Sequence, residues 1–124
     1  MNKLNYIFEK YSLLGATYLL SYFTPAFPLM MAICFFIISD FFTGILAAKK
    51  RGEEITSKKM RPTITKGIGY MIAILVAHVF GNVFLTGFEV LKIVAGLIAF
   101  IEIKSLDENF RTITGKSLFK QFMR

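Results

Sequence analysis

The chain has one cysteine, one histidine and no tryptophan among 124 residues, and its eight acids face fifteen lysines and arginines. A single thiol, Cys34, excludes an internal disulfide and argues against zinc, so it reads as a small apolar filler. His78 has no second ligand three or four residues away and does not make a metal site. No serine or cysteine nucleophile stands beside a base. No glycine-rich loop is spaced to cradle a phosphate, and no HExxH-like pair occurs. The chain is therefore expected not to be an enzyme and to need neither cofactor nor metal. The net charge of +7 raises nucleic acid as a partner. No binding motif with interleaved aromatics accompanies it, and the bases sit beside apolar segments, so nucleic acid is not expected.

What the chain has in excess is apolar surface. Hydrophobic residues make up 55% of it, fourteen are Phe, and the mean hydropathy is +0.58. A soluble domain of this size has too little interior to hide that much. Phe27 to Ala48 is apolar but for Asp40. As a helix it measures about 33 Å, enough to cross a hydrocarbon core of about 30 Å. In lipid the backbone must pair within its own segment, which selects a helix. Gly67 to Gly87 forms a second run, with His78 as its only ionisable residue. Phe88 to Lys104 forms a third, about 25 Å long and marginal unless it continues past residue 104. Residues 1–24 hold Leu4, Ile7, Phe8, Tyr11 and Leu14 at helical spacing, then a short apolar run halted or kinked by Pro25 and Pro28. No small-residue cleavage site follows, so this is expected to be a retained helix, either interfacial or just spanning. The expected fold is an all-α membrane protein of one domain. It has three to four transmembrane helices and a short amphipathic C-terminal helix.

The bases orient the chain. Residues 49–66 read as a basic loop, with seven Lys or Arg against Glu53 and Glu54. The C-terminal segment carries Lys104, Arg111, Lys116, Lys120 and Arg124, whereas residues 82–88 carry no base. Positive loops stay inside, so the central loop and the C-terminus are expected to be cytoplasmic. Lys49, Lys50, Arg51, Lys116, Lys120 and Arg124 are expected to meet anionic lipid headgroups. In residues 105–124, Ser105 and Glu108 read as a capping box for a short helix that stops before Gly115. SLFKQFMR then sets Leu118, Phe119, Phe122 and Met123 opposite the bases.

Small and polar residues recur every three or four positions: Asp40, Thr43 and Gly44 on the first span; Ala73, Ala77 and Gly81 on the second; Glu89, Lys92 and Gly96 on the third. Such stripes let membrane helices approach closely, so these residues are candidates for helix packing or pore lining. Glu89 and Lys92, three apart, are placed to neutralise each other. Counted along a hairpin, Asp40 and His78 lie at similar depth. Either the two pair, or Asp40 bonds a hydroxyl or water and His78 is a neutral, packed imidazole.

Asp40-Phe41-Phe42-Thr43-Gly44-Ile45-Leu46-Ala47-Ala48, then Ser57-Lys58-Lys59 and Lys66-Gly67, resembles the phage holin family of the toxin-secretion and phage-lysis type. In that family the last span ends in a Glu, then a Ser, then Glu-Asn, and Glu102, Ser105, Glu108 and Asn109 stand here in that order. The chain departs from the pattern in its long apolar N-terminus and in the order of Lys66-Gly67. The resemblance implies a homo-oligomer in the bacterial host cytoplasmic membrane that permeabilises it to release an endolysin or toxin. The endolysin would be a functional partner without direct contact. The alternative is a non-lytic membrane subunit of a phage, defence or secretion assembly. A small ion or proton transporter using Asp40 and His78 would need inverted repeats, and none is visible.

Overall fold

The computed structural model describes residues 2–122. The helices are α1 (Lys3–Phe23), α2 (Phe27–Lys50), α3 (Ser57–Val83), α4 (Val90–Thr114) and α5 (Leu118–Phe122), with a 3-10 turn at Thr24–Ala26 between α1 and α2. No strand occurs among the described residues. The α2–α3 and α3–α4 connections are short, so the three helices alternate in direction and pack as neighbours. Their shared core is Ile33 and Ile37 of α2, Ile74 of α3 and Ile98 of α4, closed at one end by Ala26.

The outside of this bundle is as apolar as its inside. Met31, Phe35, Ile38, Phe42 and Leu46 form one exposed stripe along α2, and Ile68, Ile72, Val76 and Val83 another along α3. Two helical runs are long and apolar enough to cross a membrane, Lys3–Lys50 and Ser57–Val83. Only 11% and 17% of their most apolar windows are buried, so the protein does not cover these surfaces itself. α4 carries too many charged residues to count with them.

Two sequence expectations change. The central loop is residues 51–56, not 49–66, because α3 begins at Ser57 and includes Lys58, Lys59, Arg61 and Lys66. Lys, Arg and Met are good helix formers, and Gly52, at φ 76°, makes the turn that the longer loop was expected to supply. Pro62 sits inside the helix, where its missing N–H frees a carbonyl in an exposed turn. Ser105 and Glu108 open no new helix: α4 runs through them, since nothing between Gly96 and Gly115 interrupts it. The third apolar run therefore continues past residue 104 within a 25-residue helix. It ends at Gly115, φ 74°, whose N–H bonds the Arg111 carbonyl. Pro25 and Pro28 interrupt the N-terminal helix as expected: α1 ends at Phe23 and a 3-10 turn leads into α2.

Gly81 is where α3 and α4 come closest. A Cβ there would lie 3.2 Å from the Val90 Cβ, whereas a Cβ on Gly96 would meet nothing. Gly81→Val is expected to destabilise the bundle by about 1–3 kcal/mol through overpacking. Gly96→Ala is expected to stabilise it slightly, by up to about 1 kcal/mol, as read by thermal unfolding in detergent.

Past Gly115 the chain is tied back to α4 by Asp107. Its buried carboxylate accepts bonds from the Ser117 hydroxyl and the Leu118 N–H, and pairs with Arg111 at 3.2 Å. Burial pushes the carboxyl up. The bonds from Ser117, Leu118 and Phe119 and the Arg111 charge outweigh it and hold the group below its ordinary value. A group lowered by folding stabilises the docked tail above its unfolded value and loses that contribution as pH falls through the folded one. Hydrogen exchange at Leu118 is therefore expected to stay protected at neutral pH and to open only in acid below about pH 4. Asp107→Asn is expected to remove most of that pH dependence.

Candidate functional site

Lys66 is the only cation among the described residues that bridges two helices through carboxylates. From α3 its Nζ lies 3.0 Å from Asp40 Oδ2 on α2 and 3.0 Å from Glu102 Oε2 on α4. Glu102 is fully buried, and its second oxygen accepts from the Tyr70 hydroxyl at 3.0 Å. Tyr70 lies one turn beyond Lys66, so α3 grips Glu102 twice. Asn109 closes the other side. Its Nδ2 lies 3.0 Å from Asp40 Oδ1, 3.2 Å from the Asp40 carbonyl and 3.1 Å from Thr43 Oγ1. Among the described residues no buried side-chain nitrogen or oxygen lacks a partner.

Helix geometry explains the convergence. Asp40 lies ten residues before the end of α2 and Lys66 nine residues after the start of α3. Both are thus about 14–15 Å from the same end of the bundle. Gly44 leaves room for the partner helix: its nearest neighbour across the gap is Asn109 Nδ2, at 3.6 Å from an ideal Cβ. A cleft of about 260 Å³ opens beside Asp40 and Asn109, lined also by Arg51, Glu53 and Ser105.

The pairing of Asp40 with His78 does not form. His78 is twenty-one residues into α3 and lies near the opposite end, because the helix starts ten residues earlier than expected. There it is buried, its Nε2 donates to the Tyr22 carbonyl at 2.7 Å, and the Tyr22 and Phe23 rings pack against it. That bond places the proton on Nε2, so the Asn82 amide nitrogen, 3.2 Å from the same atom, is a contact and not a second donor.

The other candidates divide by position. Asp40, Thr43, Gly44 and Asn109 meet across the α2–α4 contact, Glu102 joins them through Lys66, Ser105 lines the cleft beside them, and Glu108 faces outward. Ala77 is buried, Ala73 and Gly81 half-buried, so the small stripe of α3 is spent within the chain. Glu89 and Lys92 pair at 2.6 Å but are two-thirds exposed, and Gly96 is exposed below them. Among the headgroup candidates, Lys49, Lys116 and Lys120 are exposed, and Arg51 pairs with Glu53 at 2.7 Å. Lys50 instead donates to the Ile113 carbonyl, one of the last orphan acceptors of α4. Arg124 and Met123 lie outside the described residues.

Sequence reading missed Lys66 and Tyr70 as site residues. Placing Lys66 at the end of a loop hid its depth. The signal was a lysine and a tyrosine four apart, at the depth of two acids on other helices.

Removing one partner from a buried ion pair strands a charge and costs about 3–5 kcal/mol. Lys66→Met is expected to destabilise the bundle by that order in thermal unfolding, and adding Glu102→Gln is expected to restore part of the loss.

The sequence model described as the Bacteriophage holin family matches residues 17–122. No curated protein and no solved structure matches the chain. The matched stretch holds every residue of the Lys66 clasp and all three helices that build it, and the chain belongs to the Bacteriophage holin family.

Proposed function

We propose that this chain oligomerises in the bacterial cytoplasmic membrane and permeabilises it, releasing an endolysin or toxin to the wall. The observation that carries the reading is the family match over residues 17–122, on a bundle whose outer surface is apolar. Holins are membrane pore-formers and not enzymes. In this reading α2, α3 and α4 each cross the bilayer. The 51–56 loop and the C-terminal tail stay cytoplasmic, where Lys49, Arg51, Lys116 and Lys120 meet anionic headgroups. The endolysin needs no contact with the chain, and nucleic acid plays no part.

Copies associate through the face left over once the single chain is packed. On α4 that face carries Lys92 and Gly96, both exposed, beside Leu97 and Phe100. Asp40 in one chain faces α4 and not water. A water-filled lumen that uses it therefore requires α2 and α4 to part, whereas Glu89 and Lys92 already face outward. The non-lytic reading draws on the same clasp: its polar groups are satisfied within one chain, as a static subunit would have them.

Induced expression in bacteria with a potential-sensitive dye separates the two. The lytic reading expects a sudden loss of membrane potential after a lag, and the non-lytic one expects tolerance. Asp40→Leu is expected to change the lag, and Lys92→Leu the extent of permeabilisation. Unchanged timing and extent in both variants rule out a polar lumen built from these residues.

A further inference from the structure

The N-terminal helix stands apart from the bundle. No residue of α1 is buried, and large side chains are exposed along its whole length, from Leu4 and Phe8 to Tyr18 and Leu20. The junction to α2 shows where it goes. Phe23 (φ −89°, ψ −2°), Thr24 (φ −50°, ψ −42°), Ala26 (φ −79°, ψ −26°) and Phe27 (φ −60°, ψ −44°) all keep right-handed helical dihedrals. The helical run passes from Lys3 to Lys50, and no extended contact forms between α1 and α2. α1 therefore does not return alongside α2 as an antiparallel span. His78 fixes the joint from α3 by its bond to the Tyr22 carbonyl and its packing on Tyr22 and Phe23.

α2 is 24 residues long, about 36 Å, and fills the bilayer alone. Whatever precedes Phe27 thus begins at the membrane face opposite the central loop. The aromatic residues change type at the same place. Of five tyrosines in the chain, four lie in α1, at Tyr6, Tyr11, Tyr18 and Tyr22, whereas only Phe8 and Phe23 of fourteen phenylalanines do. Tyrosine favours the headgroup level, where its ring is apolar and its hydroxyl is wet. By helical spacing Asn5, Glu9 and Ser12 share the side away from Tyr11, Tyr18 and Tyr22.

We infer that α1 is not a fourth span but lies in the headgroup region of the leaflet where α2 begins. Its occupant is the lipid surface, with Leu4, Tyr11 and Tyr18 turned into it and Tyr22 holding the joint against His78. In the orientation proposed above, this is the outer leaflet, and the inference rests on that reading only for the choice of side.

The test uses the full chain with Cys34→Ser and one new thiol, Asn2→Cys or Thr56→Cys, probed with a membrane-impermeant maleimide on intact cells and on inverted vesicles. Labelling of positions 2 and 56 from opposite sides is expected. Labelling from the same side means that α1 crosses the membrane and overturns the inference. Which side position 56 takes tests the proposed orientation separately, so the two failures are distinguishable. Because the chain has no tryptophan, Tyr18→Trp supplies a single fluorophore. In vesicles of phosphatidylethanolamine and phosphatidylglycerol, lipids brominated near the headgroup are expected to quench it most. Strongest quenching by bromines at the bilayer centre, or none by either lipid, overturns the inference; the latter result means that water or a second copy covers α1.

Discussion

Lys66, held between Asp40 and Glu102, is the constraint that the three-helix bundle is arranged around. Removing an acid from water inside a helical bundle is costly unless a counter-charge and further donors are supplied. Here α2 and α4 each bring one acid and α3 brings the lysine. Tyr70 and Asn109 serve the remaining oxygens. Because each helix brings something that another needs, the ion pairs fix the relative depth of all three. The isoleucine core, with no polar atoms and one residue type repeated, would tolerate other registers far more easily.

The rest of the chain is apportioned around that layer. Toward the end that carries the central loop, Lys50 closes α4 by capping Ile113, and Asp107 ties down the tail. Toward the other end Gly81 lets α3 and α4 close on Val90, and His78 fastens the α1–α2 joint. The Lys66 layer faces inward and the Phe, Leu and Ile stripes of the bundle face outward, the arrangement that lipid selects. A holin built this way holds its buried charged side chains satisfied in the single chain. In the proposed lytic reading a lumen made from Asp40 needs the clasp to open, and the energy of the clasp then opposes permeabilisation.

Much of this was legible in the sequence, and the misses share one cause. Apolar run lengths gave all-α structure and a base-free turn at 82–88 that falls at 84–89, and local chemistry gave the Gly115 stop. The family resemblance pointed to Asp40, Thr43, Gly44, Glu102, Ser105, Glu108 and Asn109; Asp40, Thr43, Gly44 and Asn109 meet, Glu102 joins Asp40 only through Lys66, and Glu108 faces outward. The partner of Asp40 was misplaced because depth was counted from residue 66 and not from Ser57. Basic residues mark the cytoplasmic side, but they do not mark where a helix begins, since lysine is at home in a helix. That ten-residue error moved His78 down to Asp40 and hid Lys66. The capping box at Ser105 failed for a related reason: a capping motif starts a helix only where the preceding helix has stopped.

Whether α2 and α4 meet in the membrane through this layer is decided most directly by cross-linking. Thr43 and Asn109 touch at 3.1 Å. A Cys34→Ser chain carrying Thr43→Cys and Asn109→Cys, oxidised in native membranes, should form a disulfide within one chain and run as a compact monomer. Cross-links formed only between chains, or none, would contradict the clasp and the bundle built on it.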